Sequence, residues 1–234
     1  MQGWVEKAKR EAALRAVKEV KDYSVVGLGS GSTVAYAIQE LGRRVLEENL
    51  HILGVATSHQ SALLAVECGV PLTTLNEDPE IDVSLDGTDE VDSSLNAIKG
   101  AGGAFTMEKI VASIANKFIL IADERKLVDK LGSKTSIPVE VIPSAYKPVS
   151  MKIMDLGGEP VLRQAKSKVG PVITDNGNFI LDVKFESIED PKLLDTEIKS
   201  IPGVIETGLF IDLADVAYIG GPKGVKKLSK PQQY

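Results

Sequence analysis

Glu108 ends the segment Lys99-Gly-Ala-Gly-Gly-Ala-Phe-Thr-Met-Glu108, which follows shortly after Asp86-Gly-Thr-Asp89-Glu90. Carboxylates, a lysine and a glycine-rich stretch in one short run of chain suit proton transfer on a polar, oxygen-rich substrate. A carboxylate takes the proton, a cation steadies the developing oxyanion, and glycines let backbone N–H groups approach closely. The competing reading is an ordinary strand-to-helix connection, because an acidic side chain favours the positive end of a helix dipole. Thr106 is read as the cap of that helix, which puts Glu108 in its first turn. The dipole would lower the pKa of Glu108 and desolvation would raise it; the sequence leaves that balance open. Asp86 and Asp89 lie three residues apart at a strand end, where two carboxylates can face one crevice and separate in pKa. A polar turn or metal ligation is the alternative there, and neither soft ligands nor calcium-loop spacing supports a metal.

A second loop, Gly27-Leu-Gly29-Ser30-Gly31-Ser32-Thr33, reads as an anion cradle. Its glycines permit close approach, its hydroxyls donate, and the following helix presents free N–H groups. A dinucleotide fingerprint would need glycine at Ser32, and a phosphate-binding lysine loop would need Gly-Lys-Ser/Thr; both templates fail. A monophosphate fits best, and a capped tight turn is the alternative.

The elements that must position these loops follow from periodicity. Val5, Ala8, Ala13, Val17 and Val20 share a face over Val5–Val20, as in an amphipathic helix. Short apolar strands at Tyr23–Leu28, His51–Ala56, Pro71–Leu75, Ile81–Leu85 and Phe118–Ala122 alternate with helices. One of those helices covers Ser61–Cys68, with Thr57-Ser58 as caps. That alternation implies βαβ units and a mostly parallel α/β sheet. Past Gly132 the pattern becomes α+β. Pro138–Pro143 is a strand, and Val172–Thr174, Asn176-Gly177 and Phe179–Val183 read as a hairpin. Pro191–Ser200 is a helix, and Gly203–Leu209 a strand. A second, smaller domain is expected over 131–202, with 1–130 plus 203–234 forming the first. Val216–Ile219 could return to the first sheet.

The 234 residues carry 27 Lys and Arg against 33 Asp and Glu, a net charge of −6. That argues against a nucleic-acid partner, which needs a basic footprint, and leaves room for a small anion. The lysines from Lys223 to Lys230 are read as a solvated surface. Cys68 is the only cysteine, read as a small core residue, so no intrachain disulfide can form. His51 and His59 do not make a metal site. No apolar run is long enough to span a membrane, and a cytoplasmic location is expected.

Taken together, Gly-Ser-Gly-Ser-Thr, Asp-Gly-Thr-Asp-Glu, Lys-Gly-Ala-Gly-Gly-Ala and Met-Glu-Lys resemble the motifs of the type A ribose-5-phosphate isomerases. The likeness continues through Ile121–Lys126, Pro138–Pro143, Thr174–Asn178 and Ile201–Val204, nearly the whole chain in order. Thr88 departs from an alanine common in that family, and Ala101 interrupts a triple glycine. The resemblance implies interconversion of D-ribose 5-phosphate and D-ribulose 5-phosphate through an enediol, without metal or organic cofactor. It implies Glu108 as the proton-moving base, Asp86 and Asp89 for ring opening and hydroxyl protons, and Lys99 against the enediolate oxygen. Ser30, Gly31, Ser32, Thr33, Gly87, Thr88, Gly100, Ala101, Gly102 and Lys126 would hold the sugar phosphate, with Lys7 a looser phosphate contact. It also implies a Rossmann-like domain, a smaller ferredoxin-like domain and a homodimer or homotetramer. A binding-only sugar-phosphate sensor on the same fold is the rival of a different class. A nicotinamide-dependent dehydrogenase fails at Ser32.

Overall fold

The computed structural model describes residues 3–230. In chain order the elements are α1 (Gly3–Val17), β1 (Ser24–Leu28), α2 (Ser32–Glu47), β2 (Ile52–Ala56), α3 (His59–Glu67) and β3 (Val83–Gly87). Then come β4 (Glu90–Val91), β5 (Ala97–Ile98), α4 (Phe105–Ile114), β6 (Phe118–Asp123), β7 (Ile137–Val141) and α5 (Tyr146–Asp155). The chain ends with β8 (Glu159–Leu162), β9 (Phe179–Lys184), α6 (Pro191–Lys199), β10 (Val204–Thr207), β11 (Leu209–Phe210), β12 (Val216–Gly221) and β13 (Gly224–Ser229).

Six strands make the main sheet, in the order β13-β12-β6-β3-β1-β2. All neighbours are parallel except the β12–β13 pair. A parallel sheet is covered on both faces, so its strands are apolar throughout. On β6, Ile119 and Ile121 join the core under α1 and α2, while Phe118, Leu120 and Ala122 join the core that holds Phe105 and Ala112 of α4. The predicted face of α1 is buried at Val5, Ala8, Ala13 and Val17, and Val20 is buried beyond its end. This is the expected Rossmann-like layer arrangement.

The elements β7-α5-β8-β9-α6-β10 form a second sheet, antiparallel, in the order β10-β7-β9-β8. That βαββαβ order is the ferredoxin-like one. A third, small sheet, β11-β5-β4, joins two strands from between β3 and β6 to one from between β10 and β12, and carries the approach to the Lys99 loop. Strand β10 pairs with β7, so the antiparallel sheet takes its edge from beyond Pro202.

Several local expectations are corrected. Pro71–Leu75 makes only a single bridge, Leu72 to Gly54. Pro71 has no N–H to extend a ladder, and the Thr73 and Thr74 hydroxyls turn to Asp78 and Glu77, which favours a local turn. The strand expected at Ile81 begins at Val83. Val172–Thr174 is not the hairpin arm; β8 pairs with β9 instead. The Asn-Gly turn does form, with Gly177 at φ 81°, but Thr174, Asn176 and Asn178 spend their side chains on the Glu140 carboxylate. The lysine-rich tail to Ser229 is β13, an edge strand whose lysines suit an exposed edge. Cys68 is half-buried against the α2–α3 core. No helix among the described residues is long and apolar enough to cross a membrane.

Candidate active site

The carboxyl ends of β1 and β3 open side by side, where an α/β sheet binds its ligands. At the end of β1, Gly31 precedes α2 with φ 99°, a conformation that favours glycine. A Cβ on Gly29 would sit inside the Asp86 carboxyl group, so that glycine is also fixed by packing. The first helical bond of α2 runs from Ala35 N–H to Gly31 O. The N–H groups of Ser32, Thr33 and Val34 are therefore left at the positive end of a helix with no acid in its first turn. Ser30 Oγ lies 3.1 Å from Thr57 Oγ1 and 2.6 Å from Ser58 Oγ, which fixes the cradle against the start of α3. Lys9 Nζ donates to Ser32 Oγ across 3.3 Å.

The second half of the site converges on Lys99. Its ammonium lies 3.1 Å from Asp86 Oδ1 and 2.9 Å from Glu108 Oε2, and it donates to Gly87 O at 2.5 Å. All three side chains are almost wholly buried. Asp86 Oδ1 also accepts from Ser30 N and Gly87 N, at 3.2 and 2.7 Å, while its Oδ2 has no partner. Glu108 Oε2 faces Lys99 only as an ion pair, without hydrogen-bond geometry, and is otherwise unpartnered. Two carboxylates share one cation, so the buried cluster has one negative charge too many. Burial, and then the Asp86 charge, push Glu108 up from 4.5 to about 7 against the pull of Lys99. Burial also raises Asp86, opposed by Lys99. Burial works against the Lys99 charge, but Asp86 and Glu108 overcome it and hold its pKa above the usual range. Glu108 is thus raised by burial and by Asp86 although it stands in the first turn of α4.

α4 is not capped by Thr106. Its N-cap is Ala104, with no side-chain cap, and Thr106 Oγ1 donates to buried Glu140. The helix is held by tertiary bonds instead, because Lys109 on its other face reaches Glu206 at 2.8 Å and Asp195 at 3.7 Å.

A cavity of about 410 Å³ joins the two halves. Ser30, Gly31, Ser32 and Thr33 line one end; Lys99, Glu108 and Gly100 to Gly103 line the other. Gly87, Thr88, Asp89 and Lys126 lie along one side. Asp86 is 1% exposed and is not among the residues that line the cavity; it meets Lys99, which does. Asp89 Oδ2 accepts from Ala101 N at 2.8 Å, and its Oδ1 is 3.8 Å from Lys126 Nζ. The Thr88 hydroxyl is turned away and donates to the backbone at Glu90 and Ile98.

Lys7 is not in this cavity. It is 76% exposed and pairs with Glu11. Lys9, two residues on, is 15% exposed and lines the cavity. Helical rotation explains the difference: Lys9 follows Ala8 and Val5 toward the sheet, and Lys7 does not. The sequence reading also missed Arg125, Gln60, Thr174 and Asp175 on the wall. Asp175 Oδ2 accepts from His59 N, so the 174–178 turn reaches across to α3. Among the described residues, no group of three His, Cys, Asp or Glu side chains is placed to hold a metal ion.

A Rossmann-like α/β fold with an anion cradle facing a buried carboxylate–lysine cluster defines an acid–base enzyme acting on a small anionic substrate. The model of the family ribose 5-phosphate isomerase A (phosphoriboisomerase A) matches residues 53–224. The ribose-5-phosphate isomerase A of Methanosarcina acetivorans is 52% identical, over 96% of this chain and 95% of that one. The solved ribose 5-phosphate isomerase A of Methanocaldococcus jannaschii superposes with a TM-score of 0.93 at 50% identity, covering 96% of this chain and 99% of that one. A D-ribose-5-phosphate isomerase solved in complex with phospho-erythronic acid gives 0.94 at 49% identity, with the same coverage. The chain belongs to the ribose 5-phosphate isomerase A family.

Proposed function

We propose that this protein interconverts D-ribose 5-phosphate and D-ribulose 5-phosphate, with Glu108 as the base. The observation that carries the reading is the unpartnered, desolvated Glu108 carboxylate beside Lys99, in one cavity with a helix-start anion cradle. The phosphate would sit at Ser30–Thr33 with Lys9, and Lys126 at the side. Glu108 removes the C2 proton of the open-chain aldehyde, the electron pair forms the C1–C2 double bond, and the carbonyl electrons move onto O1. Lys99 and the Gly102 N–H stabilise that oxyanion, the neighbouring Ala101 N–H being held by Asp89. Protonation at O1 and loss of the O2 proton reverse the polarity, and Glu108 returns its proton to C1. Asp86 and Asp89 handle the hydroxyl protons and ring opening. These steps use protein groups alone. The relative solved with phospho-erythronic acid supports a phosphorylated ligand.

The reading extends to assembly and location. The 131–202 segment, extended by β10, acts as a smaller oligomerisation unit of a cytoplasmic homodimer or homotetramer. A binding-only sensor has no need for the buried cluster. The test is turnover of ribose 5-phosphate in chelator-treated buffer by the wild type and Glu108→Gln. The wild type turns over, and the variant loses about 10²–10⁴-fold in kcat while still binding. A silent wild type, or an unaffected variant, overturns the assignment.

A further inference from the structure

The glycine loop carries its N–H donors in an orientation that the loop sequence cannot impose by itself. Arg163, just past β8 on the antiparallel sheet, reaches the loop from behind. Its Nη1 donates to Gly100 O at 2.8 Å and to Ala101 O at 3.2 Å. No cis peptide occurs among the described residues, so each carbonyl points opposite to the N–H of the same peptide unit. Drawing both carbonyls toward Arg163 turns the N–H groups of Ala101 and Gly102 the other way, to the cavity side. The Ala101 N–H does go there, to Asp89 Oδ2 on the cavity wall. The Gly102 N–H has no acceptor among the described residues, and Gly102 lines the cavity that holds Glu108 and Lys99.

Arg163 is built to hold this position. Its Nε donates to Asp182 Oδ2 at 2.9 Å and its Nη2 to Asp182 Oδ1, a two-point grip that fixes the guanidinium plane. Its own N–H donates to Ile180 O and its carbonyl accepts from Val172 N. Its side chain is 14% exposed and does not line the cavity that holds Glu108 and Lys99.

We propose that Arg163, oriented by Asp182, is a positioning residue that presets the Gly102 N–H toward the developing oxyanion while the Ala101 N–H holds Asp89. A cation on the carbonyl side also polarises those peptide units, which strengthens their donors. The inference rests on the isomerase reading, so wild-type turnover is established first; its absence condemns that reading and not the loop geometry.

The test compares wild type, Arg163→Ala, Arg163→Lys and Asp182→Asn by kcat, KM, thermal midpoint and added guanidinium ion at millimolar concentration. Arg163→Ala lowers kcat by roughly 10–10²-fold, below the loss typical of deleting an oxyanion donor outright. KM changes little, because the phosphate cradle is untouched. Arg163→Lys recovers little, since an ammonium lacks the planar fork that grips Asp182 at two points while it reaches the loop carbonyls, and guanidinium restores part of the kcat of Arg163→Ala. Asp182→Asn gives an intermediate loss in kcat. A folded Arg163→Ala with wild-type kcat, or with a change in KM alone, overturns the proposal. Should Arg163→Ala not fold, Asp182→Asn decides, and a wild-type kcat there overturns it.

Discussion

At the scale of single residues, the chemistry depends on one imbalance: two buried carboxylates around one lysine. A lone lysine–carboxylate pair would hold Glu108 low and make it a poor base. Burial first, and then the Asp86 charge, prevent this and hold Glu108 at about 7. A base must be unprotonated, so kcat/KM should rise with pH and level off above about 7, and the Glu108→Gln variant should lack that limb. A limb near the usual 4.5 would show that substrate-free Glu108 is not desolvated. The same shift has a stability sign. Between about 4.5 and 7 the folded state holds a proton that the unfolded chain has lost, so this group's contribution to stability falls as pH rises through that window. Lys9 gives a separate prediction. In the proposed pose Lys9 meets the phosphate, so Lys9→Ala should raise KM roughly tenfold or more, at near-constant kcat. Lys7→Ala should do neither. Steady-state kinetics on both variants separates them.

At the scale of elements, the site is an intersection of loops held by bonds between distant segments. Glu19, just past α1, joins three of them: Lys117 before β6, Tyr218 on β12 and Lys227 on β13. Lys227 first, then Tyr218 and Lys117, hold its carboxyl down at about 2. A depressed carboxylate stabilises the fold above its ordinary pKa of 4.5 and loses that contribution as pH falls toward 2. Glu19→Gln should therefore cost about 1 kcal/mol at neutral pH, measured by denaturant unfolding, and close to nothing near pH 2. An equal cost at both pH values would mean that packing, and not charge, is lost. The tail that reads as a charged surface is thereby the sheet's last strand. Its strand character is masked because only one of its faces meets the protein.

At the scale of the whole molecule, Glu140 is the staple between the two sheets. It sits on β7 with no exposure and accepts from Thr106 on α4 and from Thr174, Asn176 and Asn178 on the far turn. The helix that carries Glu108 and the turn that closes the cavity are thus tied through one carboxylate. Glu140→Ala leaves those donors stranded and should cost roughly 3 kcal/mol or more, read as a lower thermal midpoint together with lost activity. A stable, fully active Glu140→Ala would remove the staple from this account.

The alternation of short apolar strands with helices, the change to α+β past Gly132, and the chemical kinds of group at Ser30–Thr33, Asp86, Lys99 and Glu108 were all legible in the chain. They are encoded locally, by side-chain period and by glycines where the backbone must turn or be approached. What needed the tertiary structure was every fact that joins distant segments. These are the burial and the Asp86 charge that lift Glu108, the rotation that chooses Lys9 over Lys7, the diversion of Thr106 and the 174–178 turn to Glu140, and the grip of Arg163 on the glycine loop. A pattern in sequence fixes which way a side chain faces on its own element. Which partner meets it there, and how much water is left between them, depends on how the sheets close, and burial is what lifts the Glu108 carboxyl out of the ordinary glutamate range.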